Sequence, residues 1–285
     1  MKISIITINY NNREGLARTL ASVAEQTCRD FEYIIIDGGS TDGSVEEIQH
    51  HAAIIDYWVS EPDGGIYNAM NKGIAKAQGD YCLFLNSSDM LYSPDIIAKV
   101  VPLLDGTDFC AGDICFLYEK PEVKVVPDEI NAYYMFHSIL FHQSTFIRTA
   151  LLKAEPYSEN YRIVSDWEQM LREIVFRNAT YKHLPLIVAN FDTAGMSLSA
   201  ESDKLLQKEL TAVRKKYFSP LIYKDYVELA EVRAEGRMKQ LLMMYNDNDI
   251  FMKKILYSYY SKSPLSGDLK MLRNVIKKTC RDMFS

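Results

Sequence analysis

The sequence predicts an α/β protein with a mostly parallel, Rossmann-like central sheet flanked by helices, followed by a helical C-terminal extension. The evidence for the sheet is that short apolar, strand-forming segments alternate four times with segments of helical periodicity in the first hundred residues. Such alternation is typical of parallel sheets with helices on both faces. Beyond about residue 200 the sequence is charged and helix-periodic, which predicts the extension.

The four strands of the first half are predicted at 3–8, 31–36, 57–59 and 81–85. Apolar residues at helical spacing predict intervening helices at 16–26, 44–48 and 66–78. The second half is less regular, and its predicted elements are a helix after Pro94, two strands within 108–126, strands at 144–147 and 186–191, and a helix over 167–176. The extension is predicted to hold helices over 205–217 and 223–245.

Composition is that of an ordinary globular protein, with 48% hydrophobic and 25% charged residues in 285. A net charge of −6 argues against nucleic acid as a partner. The five cysteines are scattered without metal-ligand spacing, which favours a reducing compartment. We see neither a signal-peptide pattern nor an apolar run of spanning length, so we expect a cytoplasmic location.

The charge is concentrated unevenly along the chain. Residues 251–285 contain eight Lys/Arg and two acids, a net +6, which leaves −12 for the rest. From about Leu269 the apolar residues cluster on one side of a predicted helix among basic residues. A basic amphipathic helix is typical of a membrane-surface element. The alternatives are a helix docked on the rest of the chain or on a second subunit of a homodimer.

Polar side chains follow several predicted strands at the points where the strands end. These are Thr7 and Asn9 at the first strand, and Asp37, Asp63 and Asp89 at or beyond the second, third and fourth. Ligands of open α/β sheets bind outside the carboxyl ends of the strands. A carboxylate with small neighbours, as at the fourth strand, suits a hard cation that takes its other ligands from water and phosphates. The alternative is that these residues form turns and helix caps.

The glycine pattern bears on which nucleotide could bind. The loop after the first strand, Asn-Tyr-Asn-Asn at 9–12, lacks the Gly-x-Gly-x-x-Gly of a dinucleotide fold, and we find no P-loop. A glycine-rich loop follows the second strand instead, and it carries acids. This arrangement favours hydrogen bonding to a base and ribose, together with a metal that neutralises a diphosphate.

Four motifs follow one another in the first ninety residues. They are Ile-Ile-Thr-Ile-Asn-Tyr-Asn-Asn at 5–12, Ile-Asp-Gly-Gly-Ser-Thr-Asp-Gly-Ser at 36–44, Ser-Glu-Pro-Asp-Gly-Gly-Ile-Tyr-Asn-Ala-Met-Asn-Lys-Gly at 60–73, and Phe-Leu-Asn-Ser-Ser-Asp at 84–89. In this order they resemble the family 2 glycosyltransferases, and most of all the bacterial branch that builds O-antigen, capsule and other surface polysaccharides. The resemblance covers roughly residues 1–200. It implies a GT-A fold, a nucleotide-diphosphate sugar donor, a divalent cation (Mn or Mg) and inversion at the anomeric carbon.

The resemblance also implies a domain organisation and a role. Residues 1–200 would form the catalytic domain, with the nucleotide-sugar half at 1–105 and the acceptor half at 106–200. Residues 201–285 would be the helical extension, a membrane-surface or dimer element. The enzyme would add one sugar to a glycan acceptor, expected to be lipid-linked, as a peripheral protein at the cytoplasmic membrane face.

On the donor side, the positions that match the family's binding residues are Thr7, Asn9, Asp37, Asp63, Asn71 and Lys72. The first two would line the nucleotide pocket, the aspartates would contact base and nucleoside, and the last two would lie near the donor. Asp89 matches the last acid of the family's Asp-x-Asp metal motif. Ser87 replaces the first acid, which leaves strict metal dependence open. For Asp37 the alternative is a turn residue that caps the next helix.

An inverting transfer needs a base that takes the proton of the acceptor hydroxyl. Ser-Asp-Trp-Glu at 165–168 resembles the family's acidic motif, which makes Asp166 the predicted base and Glu168 the second candidate. The alternative for Asp166 is a carboxylate that only stabilises a helix N-terminus. Trp167 either stacks on an acceptor sugar or belongs to the core.

Two further segments resemble acceptor-side features of the family. His142 and Gln143 match a His-Gln pair that would sit beside the acceptor or donor sugar, with a hydrogen-bonded structural histidine as the alternative. Gly195, in Ala-Gly-Met-Ser at 194–197, would belong to a flexible edge of the acceptor cleft. Here Ala194 replaces the family's first glycine.

Two rival functions are open at this point. A nucleotidyltransferase would show a glycine-rich start with a basic residue after the first strand, and residues 9–12 do not. A non-catalytic nucleotide-sugar-binding subunit is suggested by the departures at Ser87 and Ala194. The retained acids argue against it, and they are Asp37, Asp63, Asp89 and Asp166.

Overall fold

The computed structural model describes residues 2–192 and 200–244, with side chains for all of these except Ala200 and residues 235–244. The first half of the chain forms the predicted alternation of strands and helices. Its elements are β1 (Ile3–Asn9), α1 (Arg13–Ala24), β2 (Phe31–Asp37), α2 (Ser44–His50), β3 (Tyr57–Ser60), α3 (Ile66–Lys76) and β4 (Tyr81–Phe84).

The second half contains more elements than the sequence pattern predicts. Its elements are β5 (Met90–Leu91), α4 (Ile96–Val100), β6 (Phe109–Leu117), β7 (Glu122–Lys124), α5 (Ala132–His137), β8 (Thr145–Arg148), α6 (Thr149–Ala154), α7 (Ser165–Leu171) and β9 (Tyr181–Asp192). Three of them, β5, α5 and α6, have six residues or fewer and were not predicted. The helix predicted over 167–176 is α-helical to Leu171 and continues as a π-helical turn over Arg172–Phe176.

One sheet carries all of these strands in the order β3-β2-β1-β4-β8-β6-β9-β5, with β7 paired to β6. Strands β1 to β4 are mutually parallel, as predicted, and β8 runs antiparallel to both β4 and β6. Every residue of β1, β2 and β4 is buried. Parallel strands covered on both faces need such continuous apolar runs.

The strand order creates a crevice at the carboxyl ends of the parallel strands. Strand β1 has β2 on one side and β4 on the other, so the connections on its two sides diverge. In open α/β sheets, a crevice forms outside the carboxyl ends of the strands at such a switch point, and ligands bind there. The topology therefore predicts a ligand site at the residues that follow β1 and β4.

Close packing brings α3 against the sheet below this crevice. A Cβ atom added at Gly73 of α3 would lie 2.5 Å from Cγ2 of Ile6 in β1. Helix α3 begins after Gly65, whose φ of 114° is in the left-handed region where glycine is favoured. The glycines thus place the N-terminus of α3 beside the carboxyl ends of the strands.

The chain divides at Ser197 and Leu198 into two units. The described part of the second unit consists of α8 (Ala200–Tyr217) and α9 (Pro220–Met244), which contain the two helices predicted for the extension. Within the part of the chain that the structure describes, no helix is both long enough and apolar enough to cross a membrane. The basic helix predicted from about Leu269, and all of 251–285, lie outside the described residues.

Candidate active site

A cavity of about 570 Å³ opens at the carboxyl ends of β1 and β4, beside the start of α3. Its size is ordinary for a small-molecule site. It is lined by Ile8, Asn9, Tyr10, Gly38, Pro62, Asp63, Gly65, Ile66, Ala69, Asn86 and Ser87. Of the predicted donor-binding residues, Asn9 and Asp63 therefore lie on the cavity wall.

Asp37 lies behind this wall and holds together the loop that follows β2. Its Oδ1 accepts hydrogen bonds from Asn9 Nδ2 (2.8 Å) and Ser40 Oγ (2.6 Å). Its Oδ2 accepts from Ser60 Oγ (2.6 Å) and from the Ser40 and Gly39 amides (2.8 and 3.2 Å). Burial alone would raise the pKa of Asp37, but these hydrogen bonds outweigh it and lower the pKa. Asp37 is thus an ionised carboxylate that fixes the loop.

The absence of a side chain at Gly38 leaves room for two cavity side chains, Asp63 and Tyr10. A Cβ atom at this position would lie 2.8 Å from Oδ2 of Asp63 and 3.0 Å from Cδ2 of Tyr10. The Tyr10 ring is 67% exposed at the cavity, an unusual exposure for a large aromatic side chain. Together they form an aromatic surface next to a carboxylate, which suits a base or sugar that carries hydrogen-bond donors.

The other predicted donor-side residues support neighbouring segments. Thr7 is buried, with its hydroxyl 3.0 Å from that of Tyr33. Asn71 exchanges two hydrogen bonds with the backbone of Tyr157, at 2.9 and 3.0 Å. Lys72 forms an ion pair with Glu61 at 2.8 Å, which ties α3 to the loop after β3.

Asp89 follows β4 and is buried in an environment that disfavours its charge. Burial raises the pKa of this carboxyl group from 3.8 to about 7, against the opposing effects of the His142 charge and a hydrogen bond from Gln143. The charge of Asp192 also raises the pKa. At neutral pH the group is therefore poised between its neutral and charged forms.

The backbone that carries Asp89 is held in an unusual conformation. Ser88 has φ of 95°, a left-handed value that is costly for a residue with a side chain. The Thr19 hydroxyl accepts from the Ser88 amide at 3.0 Å and donates to the Asp89 carbonyl oxygen at 2.7 Å. Helix α1 thus fixes the turn after β4.

A divalent cation would fit beside Asp89 if water and a bound substrate supplied part of its coordination. Among the described residues, no group of three or more His, Cys, Asp or Glu side chains is arranged to hold a metal. The charged form of Asp89 is only partly compensated by His142 and Gln143, and Ser87, two residues before it, offers a hydroxyl at the cavity. Mn²⁺ or Mg²⁺ bound by one carboxylate would complete its shell with water and phosphate oxygens.

His142 and Asp166 form a hydrogen-bonded pair next to the cavity wall. Nδ1 of His142 lies 2.9 Å from Oδ2 of Asp166, and Nε2 lies 3.2 Å from Nδ2 of Asn86. Because an amide nitrogen can only donate, Nε2 is the accepting nitrogen and Nδ1 carries the proton. The ring therefore donates to Asp166 and keeps a lone pair on the side of Asn86.

The second carboxylate oxygen of Asp166 is bound by a tyrosine. The Tyr67 hydroxyl lies 2.8 Å from Oδ1 of Asp166 and 2.7 Å from the carbonyl oxygen of Ile163. Burial alone would raise the pKa of Asp166, but the hydrogen bonds and charge of His142, with the Tyr67 bond, lower it. Burial and the charge of Asp166 raise the pKa of Tyr67, so this hydroxyl stays protonated.

The remaining acceptor-side predictions lie away from the cavity. Trp167 is 2% exposed, and its indole nitrogen donates to the Met135 carbonyl oxygen at 2.8 Å, which makes it a core residue. Glu168 is 1% exposed and pairs with Arg172 at 3.3 Å. We therefore leave both out of the proposed site. Gly195 lies outside the described residues.

Four residues near the site were not predicted from the sequence: Tyr10, Arg18, Tyr67 and Asn86. Nη2 of Arg18 lies 2.7 Å from Oδ2 of Asp192 and 3.4 Å from the Ser88 hydroxyl, which places a positive charge beside the turn after β4. Tyr10 directly follows β1 and Asn86 lies two residues after β4, so the rule used for the aspartates would have found them. Arg18 and Tyr67 lie on helices, and no local pattern marks them.

The family model described as "Glycosyl transferase family 2" matches residues 4–157. An uncharacterized glycosyltransferase of Mycobacterium tuberculosis is 34% identical over 207 residues, which cover 70% of this chain and 78% of the relative. A PGL/p-HBAD biosynthesis glycosyltransferase of Mycobacterium bovis is 29% identical over 214 residues, which cover 73% and 83%.

Two solved structures show the same fold at low sequence identity. S. aureus TarS 1–349 in complex with UDP-GlcNAc superposes with a TM-score of 0.60 and 15% identity, over 99% of this chain and 92% of that one. The Pyrobaculum calidifontis mannosyltransferase in complex with GDP-Man and Mn²⁺ gives a TM-score of 0.58 and 14% identity, over 99% and 87%.

Proposed function

The chain belongs to glycosyltransferase family 2, and from this premise we propose that it moves one sugar, with inversion, from a nucleotide-diphosphate sugar to a glycan acceptor. The observation that carries the proposal is that two buried carboxylates with opposite pKa shifts lie behind the part of the cavity wall that Asn86 and Ser87 form. Asp89 is buried with a raised pKa, and Asp166 is held ionised beside His142. One suits a cation on the leaving diphosphate, and the other suits proton removal.

The donor nucleoside would occupy the cavity. Asp63 would accept hydrogen bonds from ribose or base, Asn9 would line the same pocket, and the exposed Tyr10 ring would stack on the base. Behind them, Thr7 and Asp37 would keep the walls in place. Asn71 and Lys72 would act through the loops that they hold, because their polar atoms bind neighbouring segments.

The diphosphate would extend towards Ser87 and Asp89. A divalent cation, Mn or Mg, held by Asp89 would neutralise the leaving group as the glycosidic bond to phosphate breaks. The guanidinium of Arg18, which is paired with Asp192, lies 3.4 Å from the Ser88 hydroxyl on this side. The single carboxylate leaves most of the coordination to substrate and water, so we propose weak metal binding in the absence of donor.

The acceptor hydroxyl would approach from the side of His142, Gln143 and Asp166. Attack on the face opposite the leaving group inverts the anomeric carbon, and the negative charge of Asp166 would favour loss of the hydroxyl proton at this place. Asp166 lies at the start of α7 and Asp89 in the loop after β4, and the adjacent residues His142 and Gln143 interact with both, His142 by pairing with Asp166 and Gln143 by a hydrogen bond to Asp89.

We propose that the acceptor is lipid-linked, and that the protein works peripherally at the cytoplasmic membrane face in surface polysaccharide synthesis. The support is the basic, amphipathic sequence of residues 251–285. The test compares the unsubstituted 285-residue chain with the triple variant Lys277→Gln/Lys278→Gln/Arg281→Gln in sedimentation with phosphatidylglycerol vesicles. We expect the triple variant to bind the vesicles more weakly. Equal binding of both proteins would contradict the membrane role, and so would the finding that the unsubstituted chain forms a salt-insensitive dimer and does not bind the vesicles.

The donor reaction is tested by Mn²⁺-dependent release of nucleotide from UDP-, GDP- and dTDP-sugars, with water as acceptor. Asp89→Ala should abolish release and Asp166→Asn should reduce it. The matched control is Asp105→Asn. Asp105 is an exposed carboxylate that pairs with Lys182 and precedes β6, so it lies at the end of the sheet opposite the cavity. If no sugar nucleotide is turned over and none raises the melting temperature, the non-catalytic alternative replaces this proposal.

A further inference from the structure

We propose that Tyr118 helps to select the acceptor, and that the exposed face of its ring stacks on a pyranose ring of the glycan. This inference rests on the proposed function, because it names how the acceptor of that reaction is recognised. Trp167, the aromatic residue considered for this role from the sequence, is a core residue. Tyr118 is a different ring, and it directly follows β6.

The strand directions place Tyr118 at the edge of the sheet that carries the candidate active site. Strand β8 is antiparallel to both β4 and β6, and β6 is parallel to β9, so β4, β6 and β9 end at the same edge. The register sets Leu117 beside Asp192, and these are the last residues of β6 and β9. Tyr118 therefore follows β6 at the edge where Asn86, after β4, lines the cavity.

A cluster of phenylalanine rings fixes the plane of the Tyr118 ring. The rings of Tyr118 and Phe116 are stacked, with centroids 5.7 Å apart and planes 19° apart. Phe116 is buried and packs in turn on Phe191, at 5.0 Å, and on Phe141, at 5.3 Å. Tyr118 itself is 46% exposed. Because Phe116 covers one face of the ring, the other face is the one that a ligand can reach.

The same cluster connects Tyr118 with the segment beside the proposed base. Phe141 directly precedes the short turn His142–Ser144, and Nδ1 of His142 lies 2.9 Å from Oδ2 of Asp166. Two ring contacts, through Phe116, therefore separate Tyr118 from this segment. A glycan that stacks on Tyr118 would have its neighbouring part beside Asp166, where the attacking hydroxyl is to lose its proton.

The surroundings of the ring favour a sugar over an aliphatic chain. One face of a pyranose presents C–H groups, which pack on the electron-rich face of an aromatic ring, while its hydroxyls need polar partners at the rim. The charged residues Glu119 and Lys120 directly follow Tyr118 and are exposed. At the end of β9, Asp192 is paired with the half-exposed Arg18 at 2.7 Å. An exposed ring among charged groups suits a ligand that is apolar on one face and polar at its edge.

The test detects binding by saturation-transfer NMR, with the methyl glycosides of glucose, galactose, mannose, rhamnose and N-acetylglucosamine as probes. Spectra are recorded with and without the nucleotide that the donor panel identifies. We expect the wild type to saturate the ring C–H protons of at least one glycoside. The signal should fall at least about fivefold in Tyr118→Ala and persist in Tyr118→Phe, which keeps the ring face.

The matched control is Tyr92→Ala. Tyr92 is 44% exposed, but it follows β5, which runs antiparallel to β9 and so leads away from the edge where Asp192 lies. This variant should give the wild-type signal, and the melting temperature of each variant shows that it is folded.

A kinetic measurement separates recognition from chemistry. In transfer to the glycoside with the strongest signal, Tyr118→Ala should raise the KM for the glycoside about five- to tenfold with little change in kcat. A stacking contact made equally before and during the reaction has this effect, whereas a group that acts in the transition state would lower kcat.

The outcomes are distinct. If the wild type saturates no glycoside, or Tyr118→Ala gives an undiminished signal, the inference is overturned. It is also overturned if only octyl glycosides bind and Tyr118→Ala weakens them, because the ring would then contact the lipid. Nucleotide release from the donor panel is judged separately. Release by a wild type that binds no glycoside removes only this inference, whereas glycoside binding without any release contradicts the proposed function and not the stacking.

Discussion

Replacing Asp89 with asparagine should change how the stability of the protein depends on pH. Burial raises the pKa of this group from 3.8 to about 7 in the folded chain. Without metal, the folded protein therefore keeps a proton that the unfolded chain releases above about pH 4. The stabilisation from this proton is complete below the unfolded pKa and is lost as the pH rises through the folded pKa.

The size of the effect follows from the shift. Each pKa unit is worth about 1.4 kcal/mol, so the wild type should lose about 3 kcal/mol of unfolding free energy between pH 5 and pH 8 relative to Asp89→Asn. Asparagine has nearly the same shape and no charge to bury. The variant should therefore be the more stable protein at pH 8 and differ little from the wild type near pH 4.

The assay is urea unfolding of both proteins in EDTA at pH 5 and pH 8. For each protein the change in unfolding free energy between the two pH values is measured, and subtracting one change from the other cancels every titration that the two proteins share. Asp105→Asn is the control. The hydrogen bond from Lys182 lowers the pKa of Asp105, so its titration lies below this pH range and its curve should parallel the wild type. Parallel curves for Asp89→Asn would refute the idea that Asp89 is a destabilised charge.

A second arm tests the cation. Saturating Mn²⁺ at pH 8 should raise the unfolding free energy of the wild type by mass action and leave Asp89→Asn unchanged. Equal stabilisation of both proteins would show that Mn²⁺ binds elsewhere.

Three other substitutions test the geometry around the cavity. Gly38→Ala would place a Cβ atom 2.8 Å from Oδ2 of Asp63 and should weaken binding of the nucleotide that the donor panel identifies about tenfold by calorimetry, about 1.4 kcal/mol, with a wild-type melting temperature. An unchanged affinity would mean that the nucleotide does not bind beside Gly38. Gly73→Ala would place a Cβ atom 2.5 Å from Ile6 and should cost about 1–3 kcal/mol in urea unfolding, whereas a stabilised variant would mean that the helix can move away. Tyr67→Phe removes a hydrogen bond to the carboxylate beside His142 and should lower kcat for donor hydrolysis while costing about 1 kcal/mol of stability; an unchanged kcat would show that this bond does not orient the pair.

The first half of the fold was predictable because its signals are local. Strands β1, β2 and β4 are buried, mostly apolar segments that are followed by polar loops, and glycines mark the ends of helices. The second half was less predictable because its elements are short or irregular. Strand β9 begins five residues before the predicted start, since Pro185 and a register shift near Gly112 interrupt its pattern. The helices α5 and α6 have six residues each, which is too short for a periodicity to appear.

From the strand pattern, only the site residues at or just after the ends of strands could be predicted. That rule points to Asn9, Asp63 and Asp89, and the resemblance adds His142 and Asp166. It does not predict which of them touch. Tyr67 and Asp166 are 99 positions apart, and the partners of an individual side chain depend on packing that no local pattern encodes. For the same reason the sequence could not distinguish a carboxylate on the cavity wall, such as Asp63, from one behind it, such as Asp37.

The electrostatics of the two inner carboxylates give a reason why their roles differ. Both are buried, yet the pKa of Asp89 is raised and that of Asp166 is lowered. The difference lies in the partners, because Asp166 receives hydrogen bonds from His142 and Tyr67, whereas Asp89 also faces the charge of Asp192. A carboxylate that is costly to ionise gains most from a cation, and one that is already ionised can accept a proton. In the proposed mechanism, environments that push the two pKa values apart suit Asp89 to the metal and the leaving group and Asp166 to the proton.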